Sequence, residues 1–453
     1  MPGNASWRIL YADEYQQLTE EGYPVAESAR TLSLPLPDSH VGTPENTESE
    51  ARWEAAYHRL WSVRDQGLRD GFPYDEPVAY EYIMAAAPPE PTLSSLSDEE
   101  YAERVKGAWF GRCAAVILGK PLEMQLDRRR IQEYLQSVDA YPLAGWVPYR
   151  SEKLNMTTRD DCLPSTLGNV YYVQPDDDVH YTILSLLLAE QKGRDFTPLD
   201  VGMNWMDNIP YHWFWCASRQ IYYHMVNMTD DRPKEEQARE MNLKLNPWRE
   251  CIDGQLRGDL WGYVNPASPK AAARYAYQDC SLSLVKNGVY GGMFVAGCVS
   301  AALAKNPTMD TILQGGLSAI PAKSRLAEAV HNVIGWYAEN QDWIETCGKI
   351  ENAYGHLPFA GTVNNLSMVV LALLHGGLDY TKTITTAVMA GIDTDCNAGT
   401  AGSIVGAAVG FNGLDAQWVK PLNDRVKTNV AGFGEGSLTS LTARTVKLRD
   451  TFR

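Results

Sequence analysis

The segment AGIDTDCNAGTAGSIVGAAVGFNG, residues 390–413, constrains the fold more than any other stretch of the chain. Its apolar residues run at helical spacing. Gly402, Gly406 and Gly410 recur at i, i+4, which leaves one helix face bare and lets another helix approach closely. Asp393 and Asp395 flank Thr394 at the start of that helix. Two carboxylates are thereby carried to the edge of a tightly packed centre, where burial without a partner is strongly unfavourable. A cation is the expected partner. Hard oxygen donors with no nearby histidine or cysteine pair point to magnesium, with manganese or calcium as alternatives.

A second acidic cluster stands in QPDDDVHYTILSLLLAE, residues 174–190. Asp176, Asp177 and Asp178 directly precede an apolar helix, where the unpaired N–H groups and the positive end of the dipole favour anions. Capping plus solvation is the plain reading. One aspartate suffices for a cap, however, and three adjoining carboxylates repel one another unless a cation or water separates them.

The rest of the chain also repeats its apolar residues at helical spacing, as in 181–188, 290–303, 326–337, 366–374 and 383–389. Alternating, strand-like runs are scarce and no fixed-period repeat is found, so the expected fold is all-α, a compact multi-helix domain. Residues 1–96 read as an N-terminal helical and irregular extension, with a Pro/Ser/Thr/Glu-rich stretch at 34–50, a helix at 51–66 and the Pro-rich AAAPPEPTLSS. Residues 97–453 form the main body. It opens on Ser97-Asp98-Glu99-Glu100, an N-cap with acidic residues in the first turn.

Bulk charge limits the partners. Lysine and arginine number 40 against 56 acidic residues, a formal charge of −16, which disfavours nucleic acid and anionic membrane as partners. No apolar run reaches the roughly 20 residues of a spanning helix, and no basic-then-apolar leader opens the chain. The eight cysteines are scattered without C-x-x-C spacing, which argues against a zinc site or disulfide framework and suits a reducing cytoplasm. Neither a G-x-x-x-x-G-K-[ST] motif nor a strand-bounded G-x-G-x-x-G is present.

A third segment, GAWFGRCAAVILGKPLE, residues 107–123, is a Gly-punctuated helix ending at Gly119-Lys120-Pro121 with Glu123 just beyond. By itself it reads equally as a helix followed by a surface glutamate. In their order, the three segments resemble the ADP-ribosylglycohydrolase family, whose members remove ADP-ribose from proteins or small acceptors. The matching residues are Gly107, Gly111, Gly119, Pro121 and Glu123, then Asp177-Asp178, then Gly391 with Asp393-Thr394-Asp395. The stretch VKNGVYGGMF, residues 285–294, is similar to a Gly-rich family loop that helps cradle the ligand.

The resemblance implies an all-helical fold with a binuclear magnesium centre that organises the ribose diol and an attacking water; manganese is the alternative ion. It implies Asp177, Asp178, Asp393 and Asp395 as metal ligands, Glu123 and Asp178 in the acid/base role, and Asn287, Gly288, Gly291 and Gly292 against the substrate. Scission of the glycosidic bond would pass through an oxocarbenium-like transition state that carboxylates stabilise. Three positions depart from the pattern: Asp176 and Val179 replace the threonines around the paired aspartates, and Cys396 replaces the threonine after Asp395. A neutral hydroxyl ligand is lost at each. Asp176 offers a charged ligand in compensation, and Cys396 a thiol that suits a hard ion poorly.

Two other features bear on a pocket. The run WMDNIPYHWFWCASRQIYYH, residues 205–224, supplies aromatics that can stack on a base or fill the core. Arg257 and Asp259, flanking Gly258, can clamp a phosphate or acceptor group or form an ion pair of their own. His180, His224 and His375 read as structural. The expected activity is hydrolysis of a bond to ribose in an ADP-ribosylated, nucleoside or dinucleotide-derived substrate. The altered threonines leave a non-catalytic binder of ADP-ribose or nucleotide as the alternative.

Overall fold

The computed structural model describes residues 5–35, 47–123, 127–228 and 233–452. The fold is all-α. Among the described residues the only sheets are two antiparallel pairs of two-residue strands, Arg150–Ser151 with Met156–Thr157 and Val426–Lys427 with Glu435–Gly436. The helices expected at 181–188, 290–303, 326–337, 366–374 and 383–389 lie within Asp177–Lys192, Lys286–Ala302, Arg325–Asn340, Thr362–Gly376 and Tyr380–Ala390. No helix among the described residues is long and apolar enough to cross a membrane.

At the centre, helix Asp98–Gly119 crosses helix Thr394–Val409 backbone to backbone. The first starts on a capping box: Ser97 Oγ accepts from the Glu100 N–H, and Glu100 Oε2 accepts from the Ser97 N–H. Its glycines then meet those of the second helix in register. A β-carbon at Gly107 would lie 2.4 Å from Gly406 O, one at Gly111 2.5 Å from Gly402 O, and one at Gly119 2.3 Å from Thr394 O. The contact therefore admits hydrogen and nothing larger. Gly406→Ala is expected to destabilise the fold by roughly 1–3 kcal/mol through overpacking, read as a shift of the denaturation midpoint; an unchanged midpoint would mean the helices separate freely.

The first residues build a smaller core of their own, in which Leu10, Tyr11, Leu18, Val25, Tyr57, Leu60 and Val63 are buried and Trp248 of the main body packs against them. The helix expected at 51–66 is Thr47–Trp61 continued by a 3-10 turn, Ser62–Gln66. Of the polar stretch at 34–50, residues 36–46 lie outside the described residues. Besides the apolar contact with Trp248, buried ion pairs bind the layer to the body. Arg249 gives two 2.9 Å hydrogen bonds to Glu14 and one of 2.6 Å to Glu21, and Lys286 reaches Glu21 at 2.9 Å. All but Lys286 are fully buried. Farther along, Glu76 holds Arg325 and receives the Asn287 amide.

Candidate metal centre and active site

Both acidic segments occupy helix N-termini, and the packing brings those ends together. Asp176 caps helix Asp177–Lys192, its Oδ1 accepting from the Asp178 N–H at 3.0 Å. Asp393 caps helix Thr394–Val409. It is thrown inward by a sharp reversal after Ala390, where Gly391 has φ +83° and Ile392 φ +61°. A β-branched residue held in the left-handed region is a strained outlier of the kind found at functional sites. Thr394 Oγ1 is turned away, donating to Gly119 O, so the two flanking aspartates face the opening.

That opening is a cavity of about 830 Å³ whose wall includes Glu123, Asp176, Asp177, Asp178, Asp393, Asp395 and Cys396. Three sets of donors, Asp176/Asp177/Asp178, Asp178/Asp395/Cys396 and Glu123/Asp393/Asp395, each offer ligand atoms within 4.8 Å of one another. Behind them Arg112 is fully buried, bonded to the Asp178 carbonyl at 2.7 Å and ion-paired to Asp259 at 2.9 Å. The Cys396 thiol donates to Asp178 Oδ2 at 3.2 Å. Asp393 Oδ1 is buried with no hydrogen-bond partner, and an orphaned carboxylate oxygen among acidic neighbours is what a hard cation satisfies. The residues fit a divalent ion.

Electrostatics say the same. Burial first, and then repulsion from Asp176 and Asp395, pushes the Asp177 and Asp178 carboxyls well above the ordinary range; burial, Asp395 and Glu123 do so for Asp393. Glu123 is pushed up to about 10 by burial and by Asp395, Asp176 and Asp177, against the opposing charge of Arg159, with which it is ion-paired. Without metal, groups with raised pKa hold their protons in the fold, so stability is kept at low pH and lost as pH climbs through the raised values. A divalent ion binds the ionised form. The rise in Tm produced by magnesium or manganese should therefore grow from pH 5 to pH 8, reaching about 2.7 kcal/mol of stabilisation at a hundred times the dissociation constant. A shift that shrinks with pH would contradict this arrangement.

Several expected substrate contacts lie elsewhere. Residues 286–292 are not a loop but the start of helix Lys286–Ala302. Gly288 and Gly292 pack against the backbone of Arg249 and Gly254, and Gly291 against Thr362. Asn287 is bonded to Glu76, Glu250 and the Leu326 N–H. Arg257 and Asp259 form no clamp either: Arg257 is buried on Asp279 and Ser283, and Asp259 on Arg112. Each is buried and ion-paired inside the body. None of these six residues lines the cavity.

The aromatic run divides. Trp205 and Phe214 are buried, while His212, Trp213 and Trp215 line the cavity, and Trp213 Nε1 has no partner among the described residues. His180 is structural: its Nε2 accepts from the Asn429 N–H, and burial lowers its pKa to about 4. Sequence reasoning missed Lys120, Arg159 and Phe359, all on the cavity wall. For Lys120 the signal was present, a cation set between a packed glycine and a proline directly before Glu123.

An all-α fold with acidic helix ends converging on a deep cavity defines the class, an enzyme-like helical domain rather than a binding repeat. The chain belongs to the ADP-ribosylglycohydrolase family, whose model matches residues 97–449, and is thereby placed among glycohydrolases. A solved structure described as an ADP-ribosylglycohydrolase-related protein complex is 15% identical, with a TM-score of 0.50 over 78% of this chain and 100% of that one. That likeness supports the fold. Comparison with curated proteins finds no match.

Proposed function

We propose that this chain is a magnesium-dependent hydrolase that cleaves a glycosidic bond to ribose in an ADP-ribosylated or related ribosylated substrate. The observation that carries the reading is the convergence of Asp177, Asp178, Asp393 and Asp395, with the orphaned Asp393 Oδ1 among them, on one cavity. These four residues would hold the metal, which when bound supplies positive charge to orient the ribose hydroxyls and to acidify water.

The chain's own groups do the rest. Glu123, on the cavity wall and ion-paired with Arg159, would take a proton from the attacking water; burial and then Asp395 hold its pKa up, and a bound cation would relieve the repulsive part. Asp178, anchored by Arg112 through its backbone, keeps one oxygen toward the cluster. Trp213 and Trp215, on the cavity wall, offer aromatic surface for a purine or nicotinamide. The described cysteines are all free, which fits work in a reducing compartment such as cytoplasm.

Mass spectrometry of ADP-ribosylated arginine, ADP-ribosylated serine and nucleoside-type substrates, with magnesium or with chelator, tests the reading. Release of ribose or ADP-ribose with magnesium alone is expected. No release from any of them, or release indifferent to chelator, would overturn it. A binder that lost turnover is favoured by one observation, the Cys396 thiol seated on Asp178. Calorimetric binding of ADP-ribose beside zero turnover would select that alternative.

A further inference from the structure

Asp176 stands where the family pattern has a threonine, and its carboxylate has both oxygens engaged. Oδ1 accepts from the Asp178 N–H at 3.0 Å and Oδ2 from Lys120 Nζ at 2.5 Å. The ammonium is pinned as well. Lys120 lies between Gly119, which is pressed on Thr394, and Pro121; its Nζ also donates to Pro175 O at 2.9 Å, and only 6% of its side chain is exposed. Its charge is felt by Asp177 and Asp395 beyond the direct partner. A permanent monovalent cation is thus built into one side of the acidic cluster.

The other side differs. Glu123, Asp393 and Asp395 form an all-oxygen set within 4.8 Å, and the buried Asp393 Oδ1 there has no partner. The remaining set, Asp178/Asp395/Cys396, puts a thiol where a hard ion prefers oxygen, and that thiol is engaged with Asp178 Oδ2. A divalent ion next to the ammonium would meet like charge at short range and a carboxylate without a free oxygen.

We propose that the Lys120 ammonium, held on Asp176, takes the place of one of the two cations of the family centre, so that this chain binds a single divalent ion, on the Asp393/Asp395 side. Threonine at 176 would bring no charge and give the lysine nothing to pair with, so the two departures form one exchange, Lys120 with Asp176 for a metal with a hydroxyl ligand. The inference rests on the metal-dependent reading above and refines it.

The test counts ions on the full chain. Chelator-stripped protein is equilibrated with manganese, bound metal is measured by elemental mass spectrometry, and the Mn²⁺ paramagnetic resonance spectrum is recorded. One ion per chain with an uncoupled six-line spectrum is expected for the natural sequence. Lys120→Gln, and independently the Lys120→Gln/Asp176→Thr pair, should raise the count from one to two and bring in spin coupling, whereas Lys120→Arg should keep one. Two ions on the natural sequence overturn the proposal and leave metal dependence standing. A count that stays at one in both charge-removing variants, folded by circular dichroism, also overturns it. No bound ion at all removes the metal-dependent reading itself and this refinement with it.

Discussion

Asp393→Ala is expected to lower turnover by about 4 kcal/mol in barrier, roughly a thousandfold, and to abolish the response to added metal. Asp393 caps a helix, but its side chain makes no capping hydrogen bond and its Oδ1 has no partner. Removing the carboxylate therefore takes no capping bond from the helix, only contacts with Asp395 and Cys396 inside the acidic cluster, and it takes away the unpartnered oxygen there. Metal-free Asp393→Ala should consequently be as stable as the metal-free natural protein or more so, because one buried and repelled carboxylate is gone. Steady-state kinetics paired with thermal unfolding, each with magnesium and with chelator, checks both parts. Activity kept within tenfold, or a large loss of metal-free stability, would mean that Asp393 is a structural residue.

Arg249→Met should destabilise the protein by about 3–5 kcal/mol, since it strands Glu14 and Glu21 in the interface between the first layer and the body. The two carboxylates are not equivalent. Burial pushes Glu14 up while Arg249 pulls against it. For Glu21, burial pushes up too, but Arg249 and Lys286 together pull further down, well below the ordinary value of 4.5. A depressed carboxylate contributes stability above its unfolded pKa and loses it as pH falls toward the folded value. Below about pH 4.5 the natural protein should therefore shed this contribution, and the gap between it and Arg249→Met should narrow. Unfolding curves from pH 7 to pH 3 read the effect. A gap that is constant with pH would assign the loss to packing of the guanidinium on Trp61, 5.8 Å from its ring, rather than to the ion pairs.

The two kinds of information in the sequence had different reach. Periodicity is a local property, so helices such as Tyr380–Ala390 and Lys286–Ala302 were legible from apolar spacing, and the i, i+4 glycines of Thr394–Val409 correctly announced a backbone-close neighbour. The neighbour's identity was not local. Nothing in residues 98–119 read alone says that Gly107, Gly111 and Gly119 are matched to Gly406, Gly402 and Thr394. The acidic clusters stood out because unpaired charge beside apolar sequence is energetically anomalous wherever it folds.

The misplaced residues fail for the converse reason. Arg257 and Asp259 look like a pair because they are two apart, yet Arg257 finds Asp279 and Asp259 finds Arg112, partners that only tertiary packing supplies. Residues 285–294 resembled a ligand-cradling loop, but Gly288 and Gly292 sit where a helix presses on the 249–254 backbone, and Gly291 faces Thr362. Asp176 read as a further metal ligand beside the four paired aspartates; its capping bond and its pairing with Lys120 became visible only once the end of helix Asp98–Gly119 was placed beside the start of Asp177–Lys192.

The central claim is that acidic residues from two distant segments share a divalent cation. An anomalous difference map from a manganese-soaked crystal tests it most directly. A peak is predicted beside Asp393 and Asp395 that a carboxylate oxygen of Glu123 or Asp178 also reaches, at roughly 2.0–2.6 Å. A map with no peak among Glu123, Asp178, Asp393 and Asp395 at saturating manganese would contradict it.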